Sequence, residues 1–140
     1  MQYKRSGLKV VVRLDKGEEI VQTLKTLCTT LGIHAGTITG IGATDKVTVG
    51  LFHPNTKKYD AIEFIGDHEI VPLIGNITTM NGEVYLHLHV NLCNAQHNSV
   101  GGHLTSAIVS VTFEAVIDII EAKIDRAFDE TIGINLIKIT

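Results

Sequence analysis

The chain has no tryptophan, only two cysteines and two prolines in 140 residues, and aromatic side chains make up just 5%. Two cysteines, Cys28 and Cys93, are too few for the disulfide framework on which small extracellular domains depend, so a reducing, cytoplasmic setting is expected. Scarce proline and a charged fraction of 19% exclude the compositions of collagen-like and disordered chains. The formal charge of −3 argues against the strongly basic surface with which a protein grips nucleic acid phosphates unaided. No apolar run approaches the roughly 18 residues that span a membrane. The first residues show no charged region followed by an apolar core and a cleavage site, so neither secretion nor membrane insertion is expected.

What is present is a 44% hydrophobic content rich in Val, Ile, Leu and Thr, which suits one domain over residues 1–140 with a real core. SGLKVVVRL (6–14) is β-branched and reads as a first strand. In DKGEEIVQTLKTLCTTLGI, Asp15 is placed to cap a helix while Glu18 reaches back to it. Ile20, Val21, Leu24, Leu27, Cys28 and Leu31 then form one apolar stripe, and Gly32 suits a left-handed helix end. The spacing predicts a helix over about 17–31. Strand-like segments follow at 34–44, 46–53, 58–65, 69–80, 83–92 and 105–120, punctuated by Pro54-Asn55, Gly66-Asp67 and Asn81-Gly82. Asn-Gly is the strongest hairpin dipeptide, so 69–80 and 83–92 should be antiparallel neighbours. A short turn or helical piece around 125–131 and a closing strand complete an α+β fold, a mostly antiparallel central sheet with one main helix packed on it.

The chemistry concentrates in YLHLHVNLC (85–93). Strand alternation puts Leu86, Leu88, Val90 and Leu92 on one face and Tyr85, His87, His89, Asn91 and Cys93 on the other. Alternate strand positions lie about 6.6 Å apart, close enough for two imidazoles to lean toward one ion. His103, in VGGHL (100–104), is a third candidate, with Gly101 and Gly102 expected to let the backbone turn and bring it close. Three neutral histidines with one position open describe the protein side of many catalytic or exchangeable zinc sites. The same residues would equally serve as polar-face groups bonded to solvent, Tyr85 or Asn91. His97, in the loop before His103, is a candidate fourth ligand or gate, while His34, His53 and His68 carry no assignment.

GTITGIGA (36–43) lacks the lysine of a phosphate loop and the strand-then-helix order of a dinucleotide fold, so its glycines read as a strand closely packed by another backbone. Glu69, Glu83, Glu114 and Asp118 fall on strands, where a metal site could use one as a general acid or base; solvent-facing positions are the ordinary outcome. Arg126 and Asp129 have the spacing of a local ion pair.

Taken in order, GTITGIGA, EIVPLIGNIT, YLHLHVNL, GGHL and VTFEAVI resemble the plants-and-prokaryotes conserved (PPC) domain in its free-standing prokaryotic form. The resemblance implies a homotrimer and a divalent metal, usually zinc, on His87, His89 and His103. Plant members carry a basic AT-hook, which this chain lacks, and a DNA-associated or regulatory role enters only by analogy with them. The fold is also similar to that of acetolactate decarboxylase, whose three-histidine zinc chelates a keto acid; this implies a lyase or hydrolase acting on a small oxygen-rich carbonyl ligand as the alternative. The decarboxylase has an arginine and glutamates near its metal, and for the arginine this chain offers only the sequence-distant Arg13 and Arg126.

Overall fold

Gly7, at a φ of +57°, lets the chain reverse early, so that Gln2–Ser6 (β1) pairs antiparallel with Lys9–Asp15 (β2). The computed structural model describes residues 1–139. In β2 the alternation predicted for a first strand holds, with Val10, Val12 and Leu14 buried and Lys9, Val11 and Arg13 exposed. The partner β1 carries no such alternation, being exposed throughout, and sequence periodicity therefore missed it.

The helix, Ile20–Leu31 (α1), begins three residues later than predicted. Asp15 is the last residue of β2, and the chain from Gly17 to Glu18 stays tied to a neighbouring strand through Gly17 N–H to the Val109 carbonyl at 2.8 Å and Val109 N–H to the Glu18 carbonyl at 3.0 Å. Glu19 is the actual cap, its carboxylate accepting from Gln22 N–H at 2.6 Å and from Ala107 N–H at 3.0 Å. Glu18 does reach back to the Asp15 amide, at 2.7 Å. Gly32 closes the helix at φ 64°, as its left-handed role requires.

Four long strands follow: Gly36–His53 (β3), Lys58–Met80 (β4), Glu83–Asn94 (β5) and Ser99–Ile119 (β6). Asn81 and Gly82, both at positive φ, make the β4–β5 hairpin. Gly66-Asp67 is not a turn, contrary to expectation. Gly66 takes a φ of 103° inside β4, and the register slips there between the Thr44 and Lys46 pairings, so an irregularity replaces a break. A second slip lies between Ile70 and Leu73.

The six-stranded antiparallel sheet runs β1-β2-β6-β3-β4-β5, and the start of β6 also pairs with β5, so the sheet curls back on itself. Leu24, Leu27 and Cys28 of α1 pack on β5 and β6, sealing a core that includes Phe113, Ile38, Leu73, Leu88 and Leu92. In the glycine series, side chains at Gly36 and Gly42 would strike the backbone of β6, the close packing expected. The opposite sheet face is open except at one corner. There Arg126–Asp129 (β7) and Ile134–Ile137 (β8) form a small antiparallel hairpin, where a turn or helical piece was expected at 125–131. The predicted closing strand was expected to run to the end of the chain; Thr140 lies outside the described residues. Among the described residues no helix is long and apolar enough to cross a membrane.

Candidate metal centre

Strand alternation places Leu86, Leu88, Val90 and Leu92 toward the core and turns His87 and His89 onto the open face. Their ring centres are 5.1 Å apart and their Nε2 atoms 3.2 Å apart. His103 reaches them through sheet closure, since it stands directly opposite His89 in the β5–β6 register. Its ring centre is 5.4 Å from that of His89 and 5.1 Å from that of His87. One nitrogen from each of the three rings falls within 4.8 Å of the others, and no cysteine or carboxylate joins them among the described residues.

Gly101 and Gly102 do bring His103 close, by a route other than the turn expected. Both lie within β6, where the absence of a side chain permits close backbone approach: a Cβ at Gly101 would strike the Val90 carbonyl oxygen, and one at Gly102 would lie 2.7 Å from that of Gly50. Gly50, opposite His103 on β3, leaves room for the Tyr59 ring. That ring meets His103 edge-on at 5.8 Å, and its hydroxyl bonds with Thr105 Oγ1 at 3.2 Å. Tyr59 thereby walls one side of the cluster.

Desolvation, with a smaller push from Arg126 and the neighbouring imidazoles, lowers the pKa of His87 to about 4. Desolvation, then His89 and Arg126, lowers that of His103 in the same direction. Neutral rings are the state that offers nitrogen lone pairs. Converging Nε2 atoms, borderline-soft nitrogen donors and a side open to solvent at the exposed His89 suit a divalent ion such as zinc.

Arg126 makes no ion pair with Asp129, whose Oδ1 instead accepts from Ile132 N–H at 2.9 Å. Its guanidinium is turned inward, only 8% of the residue being exposed. Nε donates to Thr78 Oγ1 at 2.9 Å, Nη1 to the Asn135 carbonyl at 2.9 Å and Nη2 to Asn76 Oδ1 at 2.7 Å. Nη2 also lies 3.4 Å from His87 Nδ1, and the group sits 4.9 Å above the centre of the Tyr85 ring. The arginine distant in sequence is thus adjacent to the cluster in space. Arg13, on β2, is not; it pairs with Asp15 at 3.2 Å.

Glu69, Glu83, Glu114 and Asp118 are all exposed and none joins the cluster. His97 is not a fourth ligand: it occupies the β5–β6 turn at φ 59°, lining a separate groove with Lys16, His68 and Cys93. Tyr59 and Asn76 escaped sequence reasoning, and Arg126 entered it only as a distant candidate, because each meets the histidines from another strand. The one available signal was Asn76, four residues past Pro72 in EIVPLIGNIT, the segment that Asn81-Gly82 pairs with the histidine strand.

The solved structures similar to this chain include one from Bacteroides thetaiotaomicron, named for suspected DNA binding, at 38% identity and a TM-score of 0.96 over 98% of this chain and 96% of that one. Another is a metal-containing protein from Archaeoglobus fulgidus, at 31% identity and a TM-score of 0.86 over 97% of each chain. Acetolactate decarboxylase from Bacillus subtilis shares the fold alone, at 14% identity and a TM-score of 0.57 over 83% of this chain and 54% of that one. No curated protein is matched by the sequence. The model of the Plants and Prokaryotes Conserved (PCC) domain matches residues 1–121, which hold all three histidines, and the chain belongs to that family.

Proposed function

We propose that the chain is a cytoplasmic, homotrimeric metal protein that holds zinc on His87, His89 and His103 and offers the remaining coordination position to a small oxygen-rich ligand. The observation that carries this reading is the convergence of three imidazole nitrogens, two of them 3.2 Å apart, with an exposed side left over. A divalent ion so bound supplies Lewis acidity, polarising an oxygen atom of its ligand, which is the chemistry of a zinc-dependent lyase or hydrolase. The chain's own residues prepare the place: burial favours the neutral rings of His87 and His103, Tyr59 walls one side, and the Arg126 guanidinium lies behind His87, 3.4 Å from its Nδ1. The homotrimer is supported by Val11, Ile41, Ile74 and Val116, which stand 41–61% exposed on the open sheet face where a neighbouring copy would cover them.

Elemental analysis of protein purified without a histidine tag tests the metal. Near one zinc per chain is expected, lost in His87→Ala, His89→Ala and His103→Ala with the trimer intact. No metal after zinc is supplied would return the histidines to a polar strand face.

A second reading, association with DNA in regulation, is supported by the names of relatives such as the Bacteroides protein. Lys4, Lys9 and Arg13 line one groove at the sheet edge, and three copies would bring three such grooves together. A DNA mobility shift that weakens steeply with salt is its expected sign; no shift at low salt counts against it.

A further inference from the structure

Among the described residues, the three histidines have a guanidinium beside them and no carboxylate in their cluster. Arg126 is nearly buried, and among the described residues its partners are neutral: the Thr78 hydroxyl, the Asn76 amide, the Asn135 carbonyl and the Tyr85 ring, with His87 Nδ1 3.4 Å away. A buried guanidinium ordinarily stands against a carboxylate, because burial strips its hydration and leaves the charge uncompensated. The acid in the same cross-strand row, Asp118, lies two strands away from Asn76 and is spent on Lys9 at 2.5 Å. Metal-bound histidines commonly donate their second nitrogen to a carboxylate or carbonyl. His87 instead has the guanidinium there.

From this arrangement we infer that the metal centre is selective for a small oxyanion, a carboxylate or a phosphate, and that Arg126 is the positioning residue that makes it so through its charge. The inference rests on the metal reading proposed above. With a divalent ion on three neutral imidazoles, the centre carries the ion's two positive charges and the one of Arg126, and no carboxylate among the cluster's residues offsets them. Arg126 itself has three of its contacts committed behind His87, so it acts on the ligand through the field rather than by touching it. A neutral ligand gains nothing from that field. An anion gains attraction in a half-buried site where solvent screens poorly.

Asn76 supplies a test that changes charge and almost nothing else. Its Oδ1 already accepts from Arg126 Nη2 at 2.7 Å, so Asn76→Asp puts a carboxylate on the guanidinium with no change of shape. Cobalt(II)-loaded wild-type, Asn76→Asp and Arg126→Gln proteins would be titrated with formate, inorganic phosphate and neutral imidazole, following the visible absorption of cobalt. Formate or phosphate affinity is expected to fall roughly tenfold in both variants, as loss of one nearby charge implies. Imidazole affinity should stay level. Cobalt affinity should hold or rise in Asn76→Asp, because a carboxylate on the guanidinium offsets its repulsion of the bound cation. The two anions tell the sources apart: the one that wild-type protein binds more tightly is the class the site takes. Unchanged anion affinity in Asn76→Asp, with cobalt bound, overturns this inference alone. Failure of wild-type protein to take up cobalt overturns the metal reading with it.

Discussion

His87 is held with its ring half-buried and its pKa lowered from 6.5 to about 4, first by desolvation and then by Arg126. Between those values the unfolded chain binds a proton that the folded chain refuses, so metal-free protein should lose stability as pH falls from about 6.5 to about 4 and stay level above. A shift of this size corresponds to about 3 kcal/mol for an enclosed ring, and partial solvent screening reduces the expectation to about 1–2 kcal/mol. Urea midpoints of chelator-treated protein at several pH values measure it, and His87→Gln should flatten part of the slope. Cysteine behaves oppositely: burial pushes the Cys28 thiol up to about 12, while Cys93 is only half-buried. An aromatic disulfide reagent should therefore label one thiol per native chain, at Cys93, and reach Cys28 only on unfolding. The histidine pair was legible in the sequence because two residues on one strand keep their relation whatever the rest of the fold does. Arg126 was not, since its partners Asn76, Thr78 and His87 lie 50, 48 and 39 positions away and nothing local distinguishes it from a surface arginine.

At the scale of elements, the glycines of β6 decide whether the histidines meet. Gly101→Ala would drive a methyl group into the Val90 carbonyl on β5, two positions from the His89–His103 rung. The strands must part there, and we expect a loss of about 3 kcal/mol together with weaker metal binding. Gly82→Ala is the control: its φ of 83° strains any side chain, costing about 1 kcal/mol, yet it lies at the far end of β5 and should leave metal affinity alone. Thermal melts and metal titrations of the two variants side by side separate the effects. A Gly101→Ala protein with normal metal affinity would show that the β5–β6 spacing does not set the site. The element pattern explains which parts of the sheet could be read in advance. Strands with one buried face, β2 and β5, declare themselves by alternation, and the Asn81-Gly82 turn by its chemistry. Irregularities inside long strands do not: Gly66 has the signature of a turn, and only the continued pairing of β4 with β3 on both sides of it shows otherwise.

For the whole molecule, the open face of the sheet joins the metal centre to the surface proposed for assembly. His89, Ile74, Thr39, Val116 and Val11 form one cross-strand row from β5 to β2. All three histidines nevertheless come from β5 and β6 of a single chain, so the cluster forms without a neighbour. This separates two outcomes that a shared face would otherwise confuse. Val116→Lys puts a charge where the neighbouring copy would bury it, a cost of several kcal/mol that the isolated chain escapes by leaving the ammonium in water. Light scattering should accordingly report a monomer, and elemental analysis should still find one metal per chain. His103→Ala should give the reverse, a trimer without metal. If the Val116→Lys monomer instead loses its metal, the neighbouring copy is needed to hold the site, and the row running from His89 to Val11 becomes the path by which assembly controls metal binding.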